Sequence, residues 1–450
     1  MEIIVFSLYL FALFVLIIRS KFFTVEGIKK PLLVFLWVLK LIVGVFFYII
    51  FTYYTPYKDA CHSEEFFKSG EKLYWLHKRE PVLFKDIMLG INTERQAYRN
   101  EVQRISDKWY QWNENNITND NHMIIRINAI LYFISFRFYS VHLLFMSFFS
   151  FIGSILLFKA FPKRGKKETY AAAIACFLVP STIFWSVGVL KEPLVLLGLG
   201  GFLFYSKKIM TKFSLSTLCL LIASSILLLC IKTYVFAIVL SMMLVYFWAD
   251  AGRRFIWLKY ATTLVFLVGF FLLSHYYFPQ RQVDAVHIIT MQNQLSLETN
   301  PQTISPTPQL DGSVESLVRN TPLALYNCMT QPFVFPINNA VQVLVNGETL
   351  LLILLLAVCL IFGNYRRLSR NNFAIFSIVV CLYGFILIGL TTHDVAVMMR
   401  YKSIFLPFYV YALIHLLDTD RVLYLFKIRK RIKNNDFDLV KDFGERIGKW

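Results

Sequence analysis

The chain has 450 residues, 57% of them hydrophobic, with 44 Phe, a formal net charge of +18 and a mean hydropathy of +0.56. So much apolar surface excludes an ordinary soluble domain, since runs of roughly 20 apolar residues are what crossing a bilayer requires. The Lys and Arg punctuate those runs instead of forming an aromatic-laced basic stripe, which excludes nucleic acid as a partner.

Taken in chain order, the first run, Ile3 to Ile18, follows Glu2 and precedes Arg19, Lys21, Lys29 and Lys30. A signal peptide would carry its positive charge before the run and a small-residue cleavage site after it, so this reads as an anchor with its N-terminus outside. Leu32 to Tyr54 returns the chain to the outside, where a first loop, about residues 55–138, balances acids against bases. Its spacing predicts amphipathic helices lying on the outer surface, with Arg126 and Arg137 flanking the last of them.

Tyr139 to Phe161 then runs in to the basic Pro162-Lys163-Arg164-Gly165-Lys166-Lys167. Tyr170 to Val187 goes out and Pro193 to Phe204 comes back to Lys207 and Lys208. Phe213 to Ile231 and Val235 to Trp248 form the next pair, closed by Arg253 and Arg254. Trp257 to Tyr277 leads to a second outer loop, 278–348, rich in Pro, Gln, Asn, Ser and Thr from His287 to Asn320, which predicts a flexible lid. Thr349 to Phe362 comes in to Arg366, Arg367 and Arg370, Phe373 to Leu390 goes out, and Tyr401 to Leu417 comes in to a basic tail.

The expectation is an all-α polytopic membrane protein with about 11 crossings, N-terminus outside and C-terminus inside, every short inside loop being basic. It divides into one transmembrane domain, residues 1–417, and a basic cytoplasmic tail, 418–450, read as an amphipathic helix on the inner leaflet. Pro193–Phe204 and Val235–Trp248 are short for a full crossing and predict spans that are tilted, broken or extended by their polar flanks. Of the seven cysteines, Cys61 and Cys328 fall in outer loops, where a bridge between them is chemically allowed.

Four polar groups stand out against this background. Just after the second run, Asp59, His62, Glu64 and Glu65 offer base or metal-ligand chemistry beside the membrane, or else form the solvated start of a helix after an aromatic belt. Val179 to Pro193 interrupts a hydrophobic hairpin with two prolines, Gly188 and the hydroxyls Ser181 and Ser186. Irregular backbone at membrane depth needs protein or a water-filled cavity around it. Lys191 and Glu192 in its middle read as functional, the alternative being a tight outer turn that reaches water. Lys232, a lone cation between two apolar runs, is a turn residue or an anion contact.

The fourth group lies around His393, Asp394, Arg400, Tyr401 and Lys402. Arg400 opens a span from the outside, against the charge bias, and its guanidinium suits bidentate capture of a phosphate, with snorkelling to headgroups as the alternative. Asn339 and Glu348, where the second outer loop returns to the membrane, are candidates for the same cavity.

In layout the chain resembles the polytopic bacterial enzymes that build envelope polysaccharide from polyprenyl-linked sugars. Asp59 soon after the second span is similar to the acidic residue of GT-C glycosyltransferases, although their paired acidic motif is not reproduced. Arg400-Tyr401-Lys402 with Pro407-Phe408, and the long late loop, resemble O-antigen polymerase-like proteins. The resemblance implies a multi-pass protein of the bacterial inner membrane, with a polyprenyl-linked sugar donor, a glycan acceptor and membrane lipids as partners. A divalent cation (Mg or Mn) is the one cofactor this chemistry would admit. Catalysis would fall to Asp59, Glu64 or Glu192; Lys191, Lys232 and Arg400 would hold the phosphate; His62, Ser186, Asn339, Glu348, His393 and Asp394 would line the substrate. Repeat-unit polymerisation, or flipping of a lipid-linked oligosaccharide, would use the same cations.

Overall fold

A computed structural model describes residues 1–54, 62–106, 120–252, 254–277, 284–298, 309–333, 340–418 and 421. Among these, regular structure is helical, apart from two isolated bridges, Val25 with Ile28 and Gly363 with Leu417. α1 (Glu2–Arg19) and α2 (Lys30–Tyr53) come first, followed by α3 (Ser63–Arg79), α4 (Pro81–Leu89), α5 (Gln96–Ile105) and α6 (Asp120–Ser135) in the first loop. Next come α7 (Tyr139–Ala160), α8 (Lys166–Phe177), α9 (Pro180–Trp185), α10 (Glu192–Thr211), α11 (Leu215–Ile231), α12 (Thr233–Ala251) and α13 (Ile256–Tyr277). The second loop holds α14 (Ala285–Glu298) and α15 (Val314–Thr330), and the chain finishes with α16 (Ala340–Phe362), α17 (Tyr365–Ser369), α18 (Asn372–Thr391), α19 (Val395–Lys402) and α20 (Leu406–Leu416).

Among the described residues seven helices, α1, α2, α7, α10, α12, α16 and α18, are long and apolar enough to cross a bilayer. The architecture is that of a helical, multi-pass membrane protein. Prolines set several of the starts: Pro31, Pro81, Pro180, Pro193 and Pro407 each fall in the first turn of a helix, where a missing N–H has no partner to lose.

The same rule breaks two of the expected crossings. Tyr170 to Val187 is not one helix, because Pro180 cannot donate to the Cys176 carbonyl and its ring would clash there, so α8 ends at Phe177 and α9 starts afresh. Tyr401 to Leu417 is also divided: α19 stops at Lys402 and α20 begins at Leu406, ahead of Pro407. Conversely, the two runs that looked short extend into helices of 20 and 19 residues, α10 and α12, by recruiting their polar flanks.

The first loop is amphipathic as expected. α3 turns Phe66, Leu73 and Leu76 inward and packs on α6. Within the stretch expected to be flexible, α14 packs on α18, where Asn293 donates to the Leu390 carbonyl at 2.7 Å and accepts from Leu310 N at 3.1 Å. Residues 299–308 and most of the basic tail lie outside the described residues, as does Cys61, so its pairing with Cys328 does too.

The core centres on α7, buried along most of its length, with α10 alongside. A Cβ at Gly153 would collide with the Leu196 and Leu197 backbone, and one at Gly200 with the Gly153 carbonyl. Small residues therefore let the two backbones touch, the usual device for packing helices where lipid offers no hydrophobic drive.

Candidate functional site

The break between α9 and α10 supplies the site. After Trp185 the chain runs through Ser186 to Lys191 without helix, buried throughout, until α10 starts at Glu192. Its depth follows from the α7–α10 register. Leu196 lies against Gly153 and Gly200 against Leu157, so the helices run in the same direction. One turn before Leu196, Glu192 comes level with the stretch near Phe149, roughly 15 Å from the start of α7 at 1.5 Å per residue. That is about half-way along the 22 residues of α7, and both side chains are buried, so neither reaches open water as a tight turn would.

At this depth Arg400 of α19 donates through Nε to Glu192 Oε1 at 2.6 Å, the two side chains being 12% and 2% exposed. Glu192 Oε2 has no hydrogen-bond partner among the described residues. Lys232, buried where α11 meets α12, sits with its Nζ 3.8 Å from the ring centroid of Tyr401 and 5.7 Å from that of Tyr234. A cation over an aromatic face gains about 2 kcal/mol when desolvated, which helps hold a lysine in an apolar setting. Lys191, also buried, reaches the Phe66 ring of α3 at 5.5 Å. Three separate segments thus bring Lys191, Glu192, Lys232 and Arg400 to one region.

One more of the expected residues, Glu348, and the neighbouring Thr182 tie further helices to this region. Glu348 falls inside α16, not at its start, and accepts from the backbone N of Ser181 at 3.0 and 3.1 Å and from its hydroxyl. It thereby ties α16 to the first turn of α9. Thr182 donates to the Ser403 carbonyl at 2.8 Å, joining α9 to the break between α19 and α20. Ser186 faces the other way, toward α2 and α7.

The remaining expectations part from the cluster. Glu64 is an exposed residue paired with Lys68 at 2.7 Å, one turn along α3, and His62 pairs with Glu65 at 3.2 Å. Asp394 caps α19, accepting from Ala396 N at 2.8 Å and Val397 N at 3.4 Å. His393 is buried, its backbone N donating to Ser296 Oγ at 2.7 Å. Arg126 donates to the Ile87 carbonyl at 3.0 Å and Arg137 stacks over Trp75, so both stay within the outer-loop layer. Asp59 and Asn339 lie outside the described residues. Among the described residues no three His, Cys, Asp or Glu side chains converge to hold a metal.

Two buried groups escaped the sequence reading. Lys40, halfway along α2 and 2% exposed, donates to Ser150, to Ser154 at 3.2 Å and to Ser186 at 3.2 Å, while Ser150 donates to Ser186 at 2.9 Å. His142, in the first turns of α7, contacts Asn128 Oδ1 through Nδ1 at 2.9 Å and Ser135 Oγ through Nε2 at 2.8 Å, locking α6 onto α7. The one signal that could have found Lys40 is an ionisable residue in the middle of an apolar run.

Neither a protein-family model nor any curated protein or solved structure matches this chain.

Proposed function

We propose that the protein transfers a sugar from a polyprenyl phosphate or diphosphate donor at the outer face of a bacterial inner membrane, in assembly of an envelope polysaccharide or glycolipid. The observation that carries this reading is the buried Glu192–Arg400 pair with Lys191 and Lys232 in the same region. Three cations and one carboxylate gathered in a low-dielectric setting suit recognition of an anionic group such as a phosphate.

A bound phosphate competes with Glu192 for the Arg400 guanidinium and so frees the carboxylate for base work. The acceptor hydroxyl then gives its proton to Glu192, its oxygen bonds to the anomeric carbon, and the bond from that carbon to the phosphate oxygen breaks. Charge developing on the departing phosphate is met by Arg400, Lys191 and Lys232. Of the two described candidate acids, Glu192 fits this role better than Glu64, because it sits with the cations. The same chemistry with whole repeat units as donor and acceptor makes the protein a polymerase.

A second reading has its own observation. The sequence offers one broken helix, whereas α19–α20 is a second, joined to the first by the Thr182–Ser403 bond and the Arg400–Glu192 pair. Discontinuous helices meeting near mid-depth are how many transporters hold charged substrates, which favours a flippase for a lipid-linked oligosaccharide.

The test is the glycan and lipid-linked intermediate profile of cells carrying Lys191→Ala, Glu192→Gln, Arg400→Ala or Asp59→Ala at matched expression. Transfer predicts loss of a polysaccharide with its lipid-linked precursor stranded on the outer leaflet. A precursor lacking one sugar identifies a transferase, and single repeat units without long polymer a polymerase. Accumulation on the inner leaflet identifies the flippase, and wild-type profiles in all variants discard the site.

A further inference from the structure

A second polar site lies at the opposite helix ends, where the basic loops gather. There an open cleft of about 410 Å³ is walled by Arg164, ahead of α8, by Arg366 and Arg367 of α17, and by Arg370. That volume is within the about 300–1,000 Å³ usual for small-molecule pockets. Its floor is built from buried side chains. Glu168 accepts from Arg164 N at 2.8 Å and faces His415 Nδ1 at 3.6 Å, while Asn371 donates to His415 Nε2 at 3.0 Å.

The electrostatics select the ligand. Among the lining residues, four guanidinium groups face the single carboxylate of Glu168, an excess of three positive charges before His415 is counted. None of the four arginines forms an ion pair with an acid among the described residues. The positive ends of α8 and α18, helices of 12 and 20 residues, add to the field. Basic residues at inner helix ends are general in membrane proteins, but they usually point into open solvent or headgroups. Here the four arginines, though exposed to solvent, line a concavity with a hydrogen-bonded floor.

From this we infer that the cleft is a phosphate-binding site on the cytoplasmic side, taking the phosphomonoester of an anionic lipid headgroup or of a soluble phosphate. Arginine forks suit a phosphate with two charges and three oxygens, and pockets of this kind between helices hold lipid headgroups. The site is separate from the Glu192 cluster and stands whether or not that cluster transfers sugar.

The test uses the full-length protein in nanodiscs of phosphatidylcholine, with and without phosphatidic acid, comparing Arg366→Gln/Arg370→Gln with Lys208→Gln/Lys212→Gln. The second pair removes the same charge from the basic end, outside the cleft. Retained lipid is counted by native mass spectrometry, and inorganic phosphate is titrated in the neutral nanodiscs by thermal shift. The arginine pair is expected to weaken retention of phosphatidic acid about tenfold or more, with the lysine pair like wild type. If phosphatidic acid is not retained but phosphate raises the wild-type Tm and not that of the arginine variant, the source is a soluble phosphate. Equal loss in both pairs, or no response to either probe, overturns the site. Arg366→Lys/Arg370→Lys keeps the charge without the fork, and its intermediate retention guards against loss through misfolding.

Discussion

The Glu192–Arg400 pair poses the sharpest question about single residues. A buried ion pair stands on desolvated charge, so removing one partner strands the other, whereas removing both does not. Arg400→Ala is therefore expected to destabilise the protein by roughly 3–5 kcal/mol. Glu192→Leu/Arg400→Met should recover most of that loss in thermal unfolding while remaining inactive. A double variant as unstable as the single would show that the pair is not the source of the strain. Lys40 behaves differently, since it has hydroxyls around it and no carboxylate among its described partners. Lys40→Met keeps the volume, leaves the Ser150–Ser186 bond and should hold or raise the Tm. Lys40→Ala opens a cavity instead and should cost about 2 kcal/mol or more. A large loss of stability in Lys40→Met would mean the ammonium itself organises the three serines.

Among the elements, α7 and α10 carry the most consequence, because their backbones meet with no side-chain layer between them. Gly200→Val forces them apart and is expected to destabilise by about 1–3 kcal/mol and to displace Glu192 from Arg400. Gly347→Ala in α16, where an added Cβ meets nothing within 4 Å, should be silent. Unfolding midpoints in one detergent decide the matter, and equal behaviour of the two would refute the packing argument. Much of this layer was legible in the sequence. Apolar runs and basic loops mark helix ends, and Pro180 and Pro193 announced the first break because they bracket a charge pair. The second break was hidden, since Arg400-Tyr401-Lys402 and Pro407 are equally at home at the start of one continuous span. Lys40 was hidden for a related reason: one ammonium among two dozen residues barely lowers the hydropathy of the run that contains it. Glu64 and Asp394 were read as chemistry because an acid near a membrane exit looks the same on paper whether it acts, pairs or caps.

For the whole molecule, the placement of both sites rests on which helix ends face the cytoplasm. From the charge bias of the short loops, α3 is expected outside and α17 inside. With the native cysteines replaced by Ser, Glu64→Cys should be modified by a membrane-impermeant maleimide in intact cells. Arg366→Cys should react only after permeabilisation. The reverse pattern would turn the protein over and put the arginine cleft outside.

The glycine contact between α7 and α10 has a mechanical side as well. Two helices in backbone contact cannot slide past each other, so they form a fixed post through the centre of the molecule. α19 and α20 are held to that post through polar links: Arg400 to Glu192, and Ser403 to Thr182 of α9. Widening of the interior to admit a headgroup would then run along this seam, with the post standing still. On the proposed function, Arg400 would be the latch on that seam, and a phosphate that draws it off Glu192 would be the key.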